Sequence, residues 1–145
     1  MSKLNEVWWK KYEPKTIDEM VLDSDTKEYF KNPDNLNDNI LFIGHCGIGK
    51  STLAKIIANI ILDCQYIYIS ASSHENGIDT IRNKITDFVS TMSLDNKQKI
   101  VIIEEASGLS SNAQEALKNV IDEYSDTSSF IFTSNYSHKI VESLR

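Results

Sequence analysis

The stretch Ile40-Leu41-Phe42-Ile43-Gly44-His45-Cys46-Gly47-Ile48-Gly49-Lys50-Ser51-Thr52 decides the fold. Its first four residues are apolar without alternation, as in a strand buried on both faces of a parallel sheet. Residues 44–51 match G-x-x-x-x-G-K-S, and residues 50–62 are apolar almost all round, which predicts a helix packed between layers. Strand, glycine-rich loop and helix together form a cradle in which backbone N–H groups converge on phosphate oxygens. Gly44 and Gly49 allow backbone geometry closed to residues with a Cβ. Gly47, Ile48 and Thr52 belong to the same cradle. Lys50 supplies a point charge for the β- and γ-phosphates of a nucleotide, and the Ser51 hydroxyl is a candidate Mg²⁺ ligand. At average composition a chance match is on the order of one in a few hundred for a chain of this size.

Three further apolar runs lie downstream: Tyr66-Ile67-Tyr68-Ile69, Ile100-Val101-Ile102-Ile103 and Phe130-Ile131-Phe132-Thr133. Helical stripes alternate with them. Ile78, Ile81, Ile85, Phe88, Val89 and Met92 form one; Ala113, Ala116, Leu117, Val120, Ile121 and Tyr124 form another. Ser111 with Gln114 suits a capping box at the start of the second. Strand and helix in alternation predict an α/β domain with a mainly parallel sheet, three layers and right-handed crossovers. Residues 1–39 read as an N-terminal arm, extended over residues 8–14 and then a short helix at Ser24–Lys31; residues 40–145 read as the core.

Composition supports one compact domain. The 145 residues carry 15 Lys+Arg against 21 Asp+Glu, a net charge of −6, with 41% hydrophobic residues. Those values exclude disordered and collagen-like chains. No apolar run approaches the roughly 20 residues that cross a bilayer, and the opening residues hold no apolar signal-peptide core. No membrane partner is expected. Cys46 and Cys64 form no CxxC pair, so a zinc site or disulfide framework is not expected and a reduced, cytoplasmic setting is the default. The acidic balance leaves room for a local basic stripe that binds nucleic acid.

The apolar run ending at Ile103 is followed by Glu104-Glu105, a Walker B-like feature. The first carboxylate would hold Mg²⁺ and the second, Glu105, would polarise the attacking water. Thr133-Ser134-Asn135 ends the fourth run, where the Asn135 amide could bond the γ-phosphate or the lytic water. Taken singly, these are also ordinary polar residues at strand ends.

Together the residues resemble the AAA+ ATPase domain of sliding-clamp loaders, the P-loop subunits of the phage T4 type and of the replication factor C small-subunit type. Lys11-Tyr12-Glu13-Pro14-Lys15-Thr16-Ile17-Asp18-Glu19 resembles the family's entry segment beside the adenine, which implies that Tyr12 and Pro14 bind the base. Residues 71–85, with Gly77-Ile78-Asp79 and Arg82-Asn83-Lys84-Ile85, resemble the eukaryotic loader's segment, while residues 93–99 look more like the phage loaders. Ala113-Gln114-Glu115-Ala116-Leu117-Lys118 and Asn135-Tyr136-Ser137-His138-Lys139-Ile140-Val141 are similar to two further loader motifs.

The resemblance implies an ATP hydrolase that works with a sliding clamp, primer–template DNA and other loader subunits, in a homo-oligomer joined by a small subunit. It places Arg82, Asn83, Lys84 and Lys118 on DNA phosphates, a sequence-blind contact. It places Met92 and Leu94 against the clamp; any one of these is otherwise an ordinary helix residue. Three departures stand out. Glu13 takes the place of an Arg, and Glu104 that of an Asp. The resemblance implies that the family pattern continues past Arg145 with Ser-Arg-Cys, a fifth strand, a helical lid and a collar, so in residues 1–145 the phosphate-loop strand is expected at a sheet edge. Other readings are a nucleotide-binding AAA+ module without turnover, another AAA+ DNA motor such as a helicase loader, and a nucleotide kinase.

Overall fold

In the computed structural model, which describes residues 8–72, 78–93 and 97–145, the four apolar runs form four parallel strands. They are β1 (Ile40–Ile43), β2 (Tyr66–Ser70), β3 (Lys99–Glu104) and β4 (Ser128–Ser134). Their order across the sheet is β1-β4-β3-β2, with every adjacent pair parallel. The strands outrun the apolar segments because backbone pairing continues through Ser70, Lys99, Glu104, Ser128 and Ser134. Around the sheet lie α1 (Trp8–Lys11), α2 (Ser24–Lys31), α3 (Lys50–Ile56), α4 (Ile78–Ser90) and α5 (Ser111–Glu123).

Successive side chains of a strand point to opposite faces, so a strand apolar at every position can serve two cores. That division is visible. Val101, Ile103, Phe130 and Phe132 pack with Ile81, Ile85 and Val89 of α4 and with Leu117, Val120 and Ile121 of α5. Ile100, Ile102 and Ile131 pack with Leu53, Ala54 and Ile56 of α3 and with Leu36. The result is the expected three-layer α/β architecture, with β1 at one edge and Ile43 46% exposed. Among the described residues no helix is long and apolar enough to cross a membrane.

Three local expectations are corrected. Residues 8–11, expected to be extended, wind one helical turn in which the Tyr12 N–H donates to the Trp8 carbonyl (3.1 Å). The turn stops before Glu13, since a residue preceding proline disfavours the helical region. The helix expected over 50–62 is α-helical only to Ile56; Ile57–Ile61 form a π turn, with the Leu62 N–H donating to the Ile57 carbonyl (2.9 Å). The wider turn keeps Ile57 and Ala58 fully buried while Ile60 is exposed. Finally, the N-cap of α5 is Ser110, whose side chain accepts from the Ala113 N–H, and not Ser111. Gln114 does not cap the helix but is buried.

Candidate functional site

Parallel strands bring their C-terminal ends to one side of the sheet, and β1 feeds directly into α3 there. The loop between them hydrogen-bonds to the end of β4, the Gly44 N–H donating to the Ser134 carbonyl (3.2 Å). Gly47 and Gly49 have φ of +82° and +95°, and Gly49 is the N-cap of α3. A Cβ at Gly49 would sit 3.1 Å from Met20 Cε in a strained backbone, so glycine is needed there.

Lys50 Nζ donates to the Gly44 carbonyl (2.8 Å), the His45 carbonyl (2.6 Å) and Asn135 Oδ1 (3.0 Å). The ammonium therefore lies in the loop and ties it to the residue that follows β4. Ser51 Oγ, in the first turn of α3, donates to Glu104 Oε1 at the end of β3. Glu105 has φ +55°, ψ +44°, an unusual left-handed conformation for a non-glycine residue, and its N–H donates to Thr133 Oγ1 (3.2 Å). Such strain recurs where the chain must aim a side chain. A cavity of about 250 Å³ is lined by Cys46, Gly47, Gly49, Lys50, Ser51, Thr52, Glu104, Glu105, Thr133 and Asn135.

The chemistry of this cavity is that of an anion bound with a hard cation. It offers a left-handed glycine loop at a helix N-terminus, an ammonium, and an oxygen pair from Ser51 and Glu104. Among the described residues no group of three or more His, Cys, Asp or Glu is placed to hold a metal. A cation here would complete its shell from phosphate and water, as Mg²⁺ commonly does.

Sequence reasoning missed three participants. Cys46 lines the cavity, Thr133 holds the backbone of Glu105, and Tyr68 on β2 shares the sheet face of Ile102 and Glu104. Burial pushes the Tyr68 phenol far above its ordinary range; the Glu104 carboxylate adds to this and Ser51 opposes it. Strand alternation sets Tyr68 on the same face as Tyr66, and the β2–β3 register, which the structure alone supplies, makes that the face of Ile102 and Glu104.

Residues 40–145 match the family model described as ATPase family associated with various cellular activities (AAA). The chain belongs to the AAA family of ATPases. It is 33% identical over 145 residues to the replication factor C small subunit of Sulfolobus acidocaldarius, covering 96% of this chain and 45% of the relative. It is 34% identical over 150 residues to replication factor C subunit 3 of Saccharomyces cerevisiae, covering 99% of this chain and 44% of the relative. The AAA chain thus spans less than half the length of these curated relatives. In fold it is similar to RuvB from Thermotoga maritima, with a TM-score of 0.72 at 18% identity, covering 92% of this chain and 46% of that one. PCH-2 of C. elegans gives a TM-score of 0.63 at 22% identity, covering 88% and 42%.

Other residues singled out in the sequence lie away from the cavity of this AAA core. Tyr12 is 64% exposed and touches Trp8, with ring centroids 5.8 Å apart. Pro14 lines a neighbouring cavity with Glu13, Thr52 and Lys55. Ile48 is 57% exposed, and its Cδ1 occupies the space where a Gly44 side chain would begin. Arg82, Asn83 and Lys84 are exposed on α4, and Lys118 is half-buried on α5. Met92 lies just past α4 and is 88% exposed, beside a cavity lined by Val89, Lys99 and Tyr124. Leu94 lies outside the described residues.

Proposed function

We propose that the chain is the ATP-binding core of a sliding-clamp loader subunit. The observation that carries this reading is the convergence of three strand ends on one loop: Lys50 on Asn135 after β4, and Ser51 on Glu104 of β3. Similarity to replication factor C subunits over nearly the whole chain supplies the biological direction.

The loop amides from Gly47 to Ser51 hold the triphosphate, and Lys50 leaves its carbonyl partners to pair with the β- and γ-phosphates. Ser51 and Glu104 would hold Mg²⁺, which when bound would offset phosphate charge. Glu105 orients and deprotonates the attacking water, and Asn135 positions that water or the γ-phosphate. Pro14, beside the second cavity, marks where the base sits, with Tyr12 on the arm leading to it.

Neither of the two arginines, Arg82 and Arg145, lines the cavity. The Arg145 Nε–H instead donates to the Ile140 carbonyl (3.0 Å). Among the described residues Lys50 is the one cationic side chain that lines the cavity, and in this reading a neighbouring subunit supplies a second one for fast turnover. Clamp and primed DNA act by assembling that neighbour. Arg82, Asn83, Lys84 and Lys118 contact DNA phosphates, and Met92 and Leu94 contact the clamp.

The test is calorimetric binding of a non-hydrolysable magnesium–ATP analogue, followed by steady-state hydrolysis with and without a clamp, partner subunits and primed DNA. Binding by the chain alone, with turnover that rises only on assembly, is the expected result. Folded protein that releases no binding heat overturns the reading. A hydrolysis rate indifferent to the clamp but raised by DNA points instead to another DNA motor of the family.

A further inference from the structure

We propose that Thr133 is a positioning residue for hydrolysis, its hydroxyl fixing the backbone turn that brings Glu105 into the phosphate cavity beside Glu104. This rests on the reading of Glu105 as the group that deprotonates the attacking water.

Successive residues of a strand point to opposite faces. Glu104 ends β3 on the α3 face, where it meets Ser51. Continued in the same way, the strand would set Glu105 on the face of Val101 and Ile103, toward α4 and α5. Glu105 instead lines the same cavity as Glu104. The alternation breaks because the chain leaves the strand at Glu105, whose φ of +55° and ψ of +44° are left-handed.

A residue with a Cβ keeps that conformation only where its surroundings impose it. Two hydrogen bonds do so. The Glu105 carbonyl accepts from the Gly108 N–H (2.7 Å), which closes the turn within the loop itself. The Glu105 N–H donates to Thr133 Oγ1 (3.2 Å), which ties the turn to a different strand. The register of β3 on β4 runs as far as Ile103 opposite Phe132, so the Thr133 side chain takes over where the ladder stops. Thr133 is 2% exposed on β4, with β1 on one side and β3 on the other. A β-branched side chain in a strand is stiff at χ1, so its oxygen is a fixed acceptor. Valine has nearly the same shape and no acceptor. Exchanging the two orphans the Glu105 N–H and frees the turn. A misplacement of about 1 Å at a reacting group costs on the order of 100-fold in rate.

The experiment measures steady-state hydrolysis by the chain assembled with clamp, partner subunits and primed DNA. It compares wild type, Thr133→Val, Thr133→Ser, Glu105→Gln and the double variant Thr133→Val/Glu105→Gln. Calorimetry with the non-hydrolysable magnesium–ATP analogue and circular dichroism read nucleotide affinity and folding of each chain. Thr133→Val is expected to lower kcat at least about 10-fold and to shift KM and analogue affinity less than about twofold. Thr133→Ser, which keeps the hydroxyl, is expected to recover most of that loss. In the Glu105→Gln background, Thr133→Val is expected to lower the residual rate less than about twofold, because the group it positions is already gone. An unchanged kcat in Thr133→Val overturns the proposal. So does a loss that appears in analogue affinity, a Thr133→Ser as slow as Thr133→Val, or an equal fold loss in both backgrounds. Wild-type turnover in Glu105→Gln defeats the parent reading itself, whereas a slow Glu105→Gln beside an unaltered Thr133→Val defeats only this inference.

Discussion

Lys50 makes three hydrogen bonds to groups that are all acceptors: two loop carbonyls and the Asn135 amide oxygen. These three acceptors are neutral, so anionic phosphate oxygens are better partners for the Lys50 side chain than the ones it has. Two charge-assisted bonds to phosphate, at about 1.5–3 kcal/mol each, correspond to at least about 100-fold in affinity. Lys50→Ala should therefore lose that factor in calorimetric titration with the ATP analogue. Its melting temperature should stay near wild type, because the side chain is only half-buried and fills no core. The loop and its chemistry were legible from eight consecutive residues, since a phosphate cradle is built from local backbone. Tyr68 was not legible in the same way. Its place on the face shared with Glu104 depends on which strand neighbours β2, and nothing within β2 encodes that.

Elements are held by caps and bridges whose partners lie at very different ranges. In α2 the cap is local: the Asp23 carboxylate accepts from the Thr26 hydroxyl (2.6 Å) and the Thr26 N–H (2.8 Å). Those bonds, the hydroxyl's first, hold the Asp23 carboxyl below its ordinary value of 3.8. A depressed folded value means that the cap favours the folded state above pH 3.8 and loses that advantage as pH falls through the folded value. The gap in urea midpoint between wild type and Asp23→Ala should be full at pH 6 and close below pH 3.8. In α5 the decisive residue works at long range. Gln114 is 1% exposed; its amide donates to the carbonyls of Leu109 (3.1 Å) and Lys139 (2.9 Å), and its oxygen accepts from the Val141 N–H (2.8 Å). It bolts α5 to the segment that follows Asn135. Gln114→Leu orphans those backbone groups and should cost at least about 2 kcal/mol by chemical denaturation, at about 1–3 kcal/mol per unsatisfied group. Spacing alone suggested a helix cap here because Ser111 and Gln114 satisfy a local template, while the true partners lie up to 27 residues away. The π turn at Ile57–Ile61 escaped for a related reason: four of its five residues are apolar, so the pattern fits an ordinary helical turn as well as a wider one.

At the scale of the whole molecule, α4 and α5 cover one face of the sheet and α3 the other. The cations assigned to DNA all sit on the first face, while the phosphate cavity lies at the strand ends. A protein of net charge −6 can then still attract a polyanion locally. Under the proposed function, exchanging Arg82 and Lys84 together for alanine should weaken DNA binding by the chain with its partner subunits whatever the DNA sequence. The slope of log K against log salt should fall by about 2, one per lost phosphate contact. An unaltered slope would remove these residues from the DNA surface. By itself the sequence determined the phosphate loop, the four strand segments and the carboxylates and amide at their ends. Those features follow from backbone chemistry and hydrophobic patterning within a few residues. Only the tertiary structure decided the order β1-β4-β3-β2, and with it the meetings of Lys50 with Asn135 and of Ser51 with Glu104. Four short apolar strands are nearly interchangeable as local signals. Which of them become neighbours is settled by how the crossing helices bury both faces of the sheet at once.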